Sequence, residues 1–408
     1  MRQESTPPTG PLDSKTGMRY SSFVERTTGE GSRAWDIHDR ASQLEKDGRD
    51  IIFLSIGDPD FDTPPPIVER VIESLRQGRT HYTAMAGMLP LREAIAARHH
   101  ELTGQRVDAD SVVVTAGAQC GLFTAMLCLA GPGDEVIVPE PMYVTYEAVV
   151  GVTGARLVQV PLRAERGFHL DPDDLAAAIT PRSRVLLINF PHNPTGATLN
   201  NDELEAVADI AKRHDLWVVS DEVYATLTYE RPHRSIVSIP GMAERTVVVD
   251  SLSKSHAMTG WRLGWTISMG DMPQHLKNLA LCMLYGCPPF IQDAALTALT
   301  NEFDEIDVMR AAFRERRDLL VDRLNAMPRI GCLKPEGSMF LMVDVRDSGL
   351  NSMDFAWRLL ETEGVSTLPC DGFGPSGEGY LRVSLSSPIA ELSEFCDRLE
   401  NMLRGMNR

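Results

Sequence analysis

The sequence predicts an α/β protein: a large unit built on a mostly parallel sheet flanked by helices, followed by a smaller α+β unit. Three observations carry this reading. From about residue 64 to 300, short runs rich in valine and isoleucine alternate with longer helix-like segments, the βα alternation of a parallel sheet. The runs are hydrophobic almost throughout, as strands covered on both faces are. After residue 301 the texture changes to long charged helices separated by short apolar runs.

The elements follow in chain order. Residues 1–17, "MRQESTPPTGPLDSKTG", lack the hydrophobic centre of a signal peptide and read as a disordered leader. Residues 18–63 are expected to pack with the small unit. The large unit, 64–300, holds five expected strands: "SVVVT" (111–115), "EVIVP" (135–139), "RVLLINF" (184–190), "LWVVSD" (216–221) and "TVVVD" (246–250). The small unit, 301–408, begins with the helix "EFDEIDVMRAAFRERRDLLVDRLNAM". It continues with "SMFLMVDV", a helix near "MDFAWRLLETEG" and the run "GYLRVSLS".

Composition bounds the function. The 408 residues suffice for a large core, and 43% hydrophobic with 24% charged residues is ordinary for a soluble globular protein. Acidic residues outnumber basic ones, 57 to 40, for a net charge of -17, which argues against non-specific binding to nucleic acid. No apolar run reaches membrane-spanning length. Seven cysteines, odd in number, scattered and never spaced as CxxC, read as reduced thiols of a cytoplasmic protein without a metal centre.

In open α/β sheets ligands bind beyond the carboxyl ends of the strands, so the residues after each strand matter most. After "SVVVT", Gly117, Ala118 and Gln119 open a helix whose backbone N–H groups suit an anion. Tyr143 follows the second strand and Asn193 of "PHNPTG" the third. Asp221 and Tyr224 follow the fourth, and Ser251, Ser253 and Lys254 the fifth. Taken alone, most of these have a simpler structural explanation: a helix cap for Asp221, a turn for "NPTG", a core ring for Tyr143, a plain helical residue for Gln119. Lys254 does not. An ammonium is expensive to bury, and of the six lysines only Lys254 directly follows a strand of this sheet.

A lysine with a depressed pKa attacks carbonyls and holds a Schiff base. An aldehyde cofactor with a phosphate and a protonatable ring nitrogen needs such a lysine, an anion cradle, a carboxylate and an aromatic face. Those requirements describe pyridoxal 5'-phosphate. Competing signatures are weak: "GFGPSG" is interrupted by Pro375 and precedes a strand instead of a helix, and neither HExxH nor GxSxG occurs.

The motifs "LSIGDPDFDTP", "PHNPTG", "SDEVY", "SLSKSHAMTGWRLGW" and "YLRVS" resemble those of the class I/II aminotransferases of the aspartate aminotransferase superfamily. The resemblance runs from about residue 20 to the C-terminus. It implies fold type I of the pyridoxal-phosphate enzymes and a ping-pong transamination by a homodimer. It makes Lys254 the Schiff-base lysine and proton carrier, pairs Asp221 with the ring nitrogen, and sets Asn193 and Tyr224 on the 3'-oxygen. Ala118, Gln119, Ser251, Ser253 and Arg262 would surround the phosphate, which Tyr82 of "HYTAMAG" would reach from the second subunit, while Tyr143 stacks on the ring. Arg382 would grip the substrate α-carboxylate, beside Asn193, with a fork that suits a bidentate partner. Gly57 would add a backbone donor, and reads equally well as a turn glycine.

The substrate side chain is addressed by two further features. Gln119 stands where one aspartate-specific branch carries a lysine, as in "GGKQA". Longer stretches, among them "AWDIHDRA", "DLWVVSDEVY" and "LALCMLYG", resemble the bacterial arginine–pyruvate transaminases. The resemblance implies L-arginine as donor and pyruvate as acceptor. Asp36 or Asp60 would then accept from the guanidinium and Trp35 offer it an aromatic face; each also reads as part of a solvated N-terminal helix or loop. Aspartate or aromatic transamination, and β-elimination by a C–S lyase on the same fold, remain the alternatives.

Overall fold

The computed structural model describes residues 15–27 and 35–406, so the expected leader lies outside the described residues except for 15–17. The described chain enters through α1 (Trp35–Lys46), which buries Ile37, Ala41 and Leu44 on one face, and β1 (Ile52–Phe53). Helices α2 (Pro65–Arg76) and α3 (Leu89–Thr103) lead into strand β2 (Val112–Thr115). Then come α4 (Ala118–Leu129), β3 (Glu135–Glu140), α5 (Tyr146–Gly151), β4 (Arg156–Pro161), α6 (Pro172–Ala177), β5 (Ser183–Asn189) and α7 (Asn201–Arg213). Strands β6 (Trp217–Asp221) and β7 (Thr246–Ser251), the single turn α8 (Leu252–Ser255) and β8 (Gly264–Ile267) complete the sheet.

The seven strands lie in the order β2-β8-β7-β6-β5-β3-β4. Strand β8 runs antiparallel to both neighbours, and the other pairs are parallel. The five expected strands are present within a residue or two of their expected ends. Two were not expected. The edge strand β4, "RLVQVP", leaves Arg156 and Gln159 exposed and lacks the apolar run of a central strand, while β8, "GWTI", is buried throughout but has no continuous run of valine or isoleucine.

Side-chain alternation assigns the two faces. Val247 and Val249 of β7 pack with Leu122 and Met126 of α4, whereas Val248 packs with Leu91 and Ile95 of α3. Apolar side chains buried this way stabilise by about 1.5–3 kcal/mol each.

The remaining chain comprises α9 (Met272–Met283), α10 (Pro289–Thr300), α11 (Asp304–Asn325), β9 (Gly331–Cys332) and β10 (Phe340–Asp344). It ends with α12 (Ser352–Glu363), β11 (Val365–Ser366), β12 (Leu368–Pro369), β13 (Tyr380–Ser384) and α13 (Ile389–Gly405). Strands β12-β13-β10-β9 form an antiparallel sheet, and β1 pairs with β11 in parallel. Ile37, Leu44, Ile52 and Leu54 share one core with Phe313, Leu320, Phe355 and Leu359, so the entering segment packs against α11 and α12. All seven cysteines are free, and no helix of the described residues is long and apolar enough to cross a membrane.

Candidate active site

Parallel strands in register end together. Asn189 of β5 pairs with Asp221 of β6, which pairs with Val249 of β7, so the residues that follow arrive at one edge. A cavity of about 250 Å³ opens there. Ala118 and Gln119 reach it from the start of α4, Tyr143 from the end of β3 and Asn193 from the loop after β5. Asp221 comes from the end of β6 and Tyr224 from the turn after it, Ser251, Ser253 and Lys254 from β7 and α8, and Arg262 from the approach to β8. Arg382 of β13 and the entering residues Trp35 and Gly57 close the other side.

Lys254 rides on a one-turn helix capped by Ser251, whose hydroxyl accepts from the Ser253 N–H at 3.3 Å. Burial pulls its ammonium down to about 8; the positive charges of Arg382 and Arg262 act the same way, and Asp58 opposes them. Its Nζ donates to the Gly57 carbonyl. The glycine is required by packing, because a Cβ there would stand 2.2 Å from Cζ of the Phe340 ring. Gly57 therefore meets Lys254 through its carbonyl, where the sequence suggested an N–H donor.

Asp221 is a carboxylate without a counter-ion. Its Oδ2 accepts from the Tyr146 hydroxyl at 2.6 Å and its Oδ1 from the Val223 N–H at 3.4 Å, and among the described residues no cation lies within ion-pair distance. Burial raises its pKa to about 6, against the hydrogen bonds that favour the charge. Asn189 holds the neighbourhood together: its amide donates to the Asp221 carbonyl and its oxygen accepts from the Asn193 N–H, both at 3.0 Å.

Two arginines face inward. Arg382 is fully buried; it donates to Ser55 O at 2.6 Å and Asn193 Oδ1 at 3.2 Å, its guanidinium carbon sits 4.1 Å from the centre of the Phe340 ring, and its Nε has no hydrogen-bond partner. Among the described residues no carboxylate pairs with it, so an incoming one would complete its coordination. Arg262 is held at φ 52°, a left-handed conformation unusual for a side chain of this size, and donates to the Thr259 carbonyl at 2.9 Å. A Cβ on Gly117 would stand 2.5 Å from Arg262 Nη2, and one on Gly264 2.7 Å from the Ala118 nitrogen. Two glycines thus keep open a space framed by the start of α4, the serines and a guanidinium. That space suits a phosphate-sized anion.

The set can therefore hold an anion at Arg262, a protonated nitrogen at Asp221, a planar ring beside Tyr143 and Tyr224, and a carboxylate at Arg382, around one reactive amine. Three expected residues lie elsewhere. Asp36 is exposed on α1 and does not line the cavity, and Asp60 is engaged by Arg316 through contacts of 2.6 and 2.9 Å. Tyr82 is 82% exposed, packed against Tyr285 with ring centres 4.9 Å apart, and does not line this chain's own cavity. Sequence reasoning missed Tyr146, Asn189 and Phe340. A polar residue closing an apolar strand was the signal for Asn189, and the pair Tyr143–Tyr146 one helical turn apart was the signal for Tyr146.

The chain is similar to known proteins over most of its length. Residues 49–399 match the family model for aminotransferase class I and II. The chain is 53% identical to arginine–pyruvate transaminase AruH of Pseudomonas aeruginosa over 94% of its own length and 97% of that protein's. It is 36% identical to an aspartate aminotransferase of Pyrococcus horikoshii, covering 92% of this chain and 95% of that one. Among solved structures, a single mutant of Thermus thermophilus aspartate aminotransferase superposes with a TM-score of 0.89 at 34% identity, covering 94% of this chain and all of that one.

Proposed function

The chain belongs to the class I and II aminotransferases, and on that premise we propose that it moves the α-amino group of L-arginine to pyruvate, with pyridoxal 5'-phosphate as cofactor. The observation that carries the chemistry is the single lysine facing a cavity that also presents an uncompensated carboxylate and two uncompensated guanidiniums. When bound, the cofactor supplies an aldehyde and an electron-withdrawing ring that acidifies the α-proton of an amino acid.

The chain's own residues do the rest. Arg382 holds the substrate α-carboxylate, helped by Asn193, and so orients the Cα hydrogen towards Lys254. Lys254 Nζ takes and returns the Cα proton, and its lowered pKa keeps a useful fraction of neutral amine near pH 8. Asp221 keeps a positive charge on the ring nitrogen, and Tyr146 and Asn189 hold Asp221 in place. Tyr143 covers the ring and Tyr224, with Asn193, steadies its phenolic oxygen. Arg262, Ser251, Ser253, Ala118 and Gln119 hold the phosphate, with Tyr82 contributed across a homodimer to the site of the other copy.

Arginine as donor rests on the 53% identity and on Gln119, whose side chain accepts from Thr145 at 3.1 Å and offers no charge to a distal carboxylate. Trp35 lines the mouth, where a guanidinium can lie against its ring. A panel of amino donors, each with pyruvate and 2-oxoglutarate, decides the substrate. L-Arginine with pyruvate is expected to give the highest kcat/KM; efficient turnover of aspartate with none of arginine would instead make this an aspartate aminotransferase.

A further inference from the structure

A second cavity, of about 490 Å³, backs onto the first. Consecutive residues divide between them: Asp221, Tyr224 and Ser251 line the first, and Glu222, Ala225 and Asp250 the second. The wall is one residue thick, so an occupant would touch the backs of the residues that form the active site. The floor of the second cavity is apolar, made by Ile95 and Leu102 of α3, Val248 of β7 and Trp265 of β8.

Most of its charges are neutralised inside the protein. Glu222 accepts from the hydroxyls of Ser220 and Ser235 at 2.8 and 2.6 Å and lies 3.3 Å from His233 Nε2. Glu230 pairs with Arg317 at 2.9 Å, Arg231 with Glu336 at 3.0 Å and Arg310 with Asp307 at 2.8 Å. Two cations are left over. Among the described residues no carboxylate lies within ion-pair distance of Arg98 on α3 or Arg314 on α11. Asp250 makes no ion pair: burial drives its carboxyl well up although the charge of Arg98 pulls it the other way, and its hydrogen bond comes from the Ser251 N–H at 2.7 Å. The Thr226 hydroxyl, also in the lining, is buried without a partner.

We propose that this cavity binds an organic carboxylate, its charge held by Arg98 and Arg314 and its apolar body lying on Leu102 and Trp265. Guanidinium forks match a carboxylate, and a concave apolar floor with a few charged groups is the ordinary make-up of a small-molecule site. The binding does not depend on the transamination reading, and it leaves Lys254 free.

The probe is 4-iodobenzoate, a carboxylate with neither an amino nor an oxo group. In crystals of the holoenzyme soaked with it, anomalous scattering is expected to place iodine beside Trp265. In calorimetric titrations of the holoenzyme, the double variant Arg98→Gln/Arg314→Gln should bind at least about tenfold more weakly. Arg98→Lys, which keeps the charge, should retain most of the affinity, and amino transfer without the probe should be unchanged. Should the double variant fail to fold, Arg314→Gln alone, on the exposed rim, gives the same comparison. Iodine found only beside Lys254, or equal affinity in wild type and variants, overturns the proposal.

Discussion

Asp221 carries its charge against the pull of its surroundings. Burial moves its pKa from the ordinary 3.8 to about 6, so at neutral pH the cofactor-free fold holds a carboxylate that costs about 3 kcal/mol relative to the unfolded chain. The sign follows from proton binding. Between 3.8 and about 6 the folded state keeps a proton that the unfolded state has lost, so stability falls as pH rises through that window and stays reduced above it. Asp221→Asn should therefore melt higher than the wild type at pH 7.5 without cofactor, and the advantage should vanish below about pH 4. The same variant should lose at least about a hundredfold in kcat/KM, because an amide cannot hold the ring nitrogen's charge. Scanning calorimetry at the two pH values and steady-state kinetics check both halves; a variant as active as the wild type would remove Asp221 from the mechanism. Lys254 stood out in the sequence because a lysine directly after a valine-rich strand is expensive to bury, whereas Asp221 alone read as a helix cap and its role came from the family resemblance. Asn189 left a signal as the polar end of an apolar strand, but not its role, since it holds two backbone groups that only the sheet brings beside it.

At the scale of elements, the anion cradle depends on how closely α4 and the chain before β8 approach each other. Gly117 is the N-cap of α4, has φ +77° and leaves no room for a Cβ beside Arg262. Gly117→Ala should cost about 1–3 kcal/mol through the strained backbone, and it should displace the Arg262 guanidinium and weaken cofactor binding. Thermal melts and equilibrium titration of the cofactor, followed by absorbance, test this; unchanged affinity would show that the guanidinium has another route to the anion. The five central strands were readable because burial on both faces removes polar residues from them. The edge strand β4 and the antiparallel β8 were not, because one keeps a solvated composition and the other, "GWTI", has no continuous run of valine or isoleucine.

At the scale of the whole molecule, one polar cluster joins the loop after β5 and the start of α7 to the chain between β9 and β10. His169 lies 2.9 Å from Glu203 and 3.5 Å from Glu336, and Glu336 also accepts from the Thr198 N–H at 3.2 Å and pairs with Arg231. The carboxylates raise His169 to about 9, and His169 foremost lowers Glu336 to about 2. The histidine's share of stability is complete below 6.5 and lost as pH rises through about 9. The glutamate's share is complete above 4.5 and lost as pH falls through about 2. Both side chains are partly exposed, so solvent screening limits the sum to about 1 kcal/mol. His169→Gln should lower the melting temperature by about 2 °C at pH 6 and hardly at all at pH 10; an equal loss at both pH values would assign the effect to packing. The sequence by itself indicated the alternation of strands and helices, the five central strands, and the lysine and the anion-suited helix start that stand directly after two of them, because each follows from local burial pattern and from what stands directly after a strand. Only the tertiary structure decided that Arg382 meets Asn193, 189 positions away, that Asp60 is spent on Arg316, that Asp36 faces solvent, and that a second cavity shares the active-site wall. Those facts depend on contacts between distant segments, which no local spacing encodes.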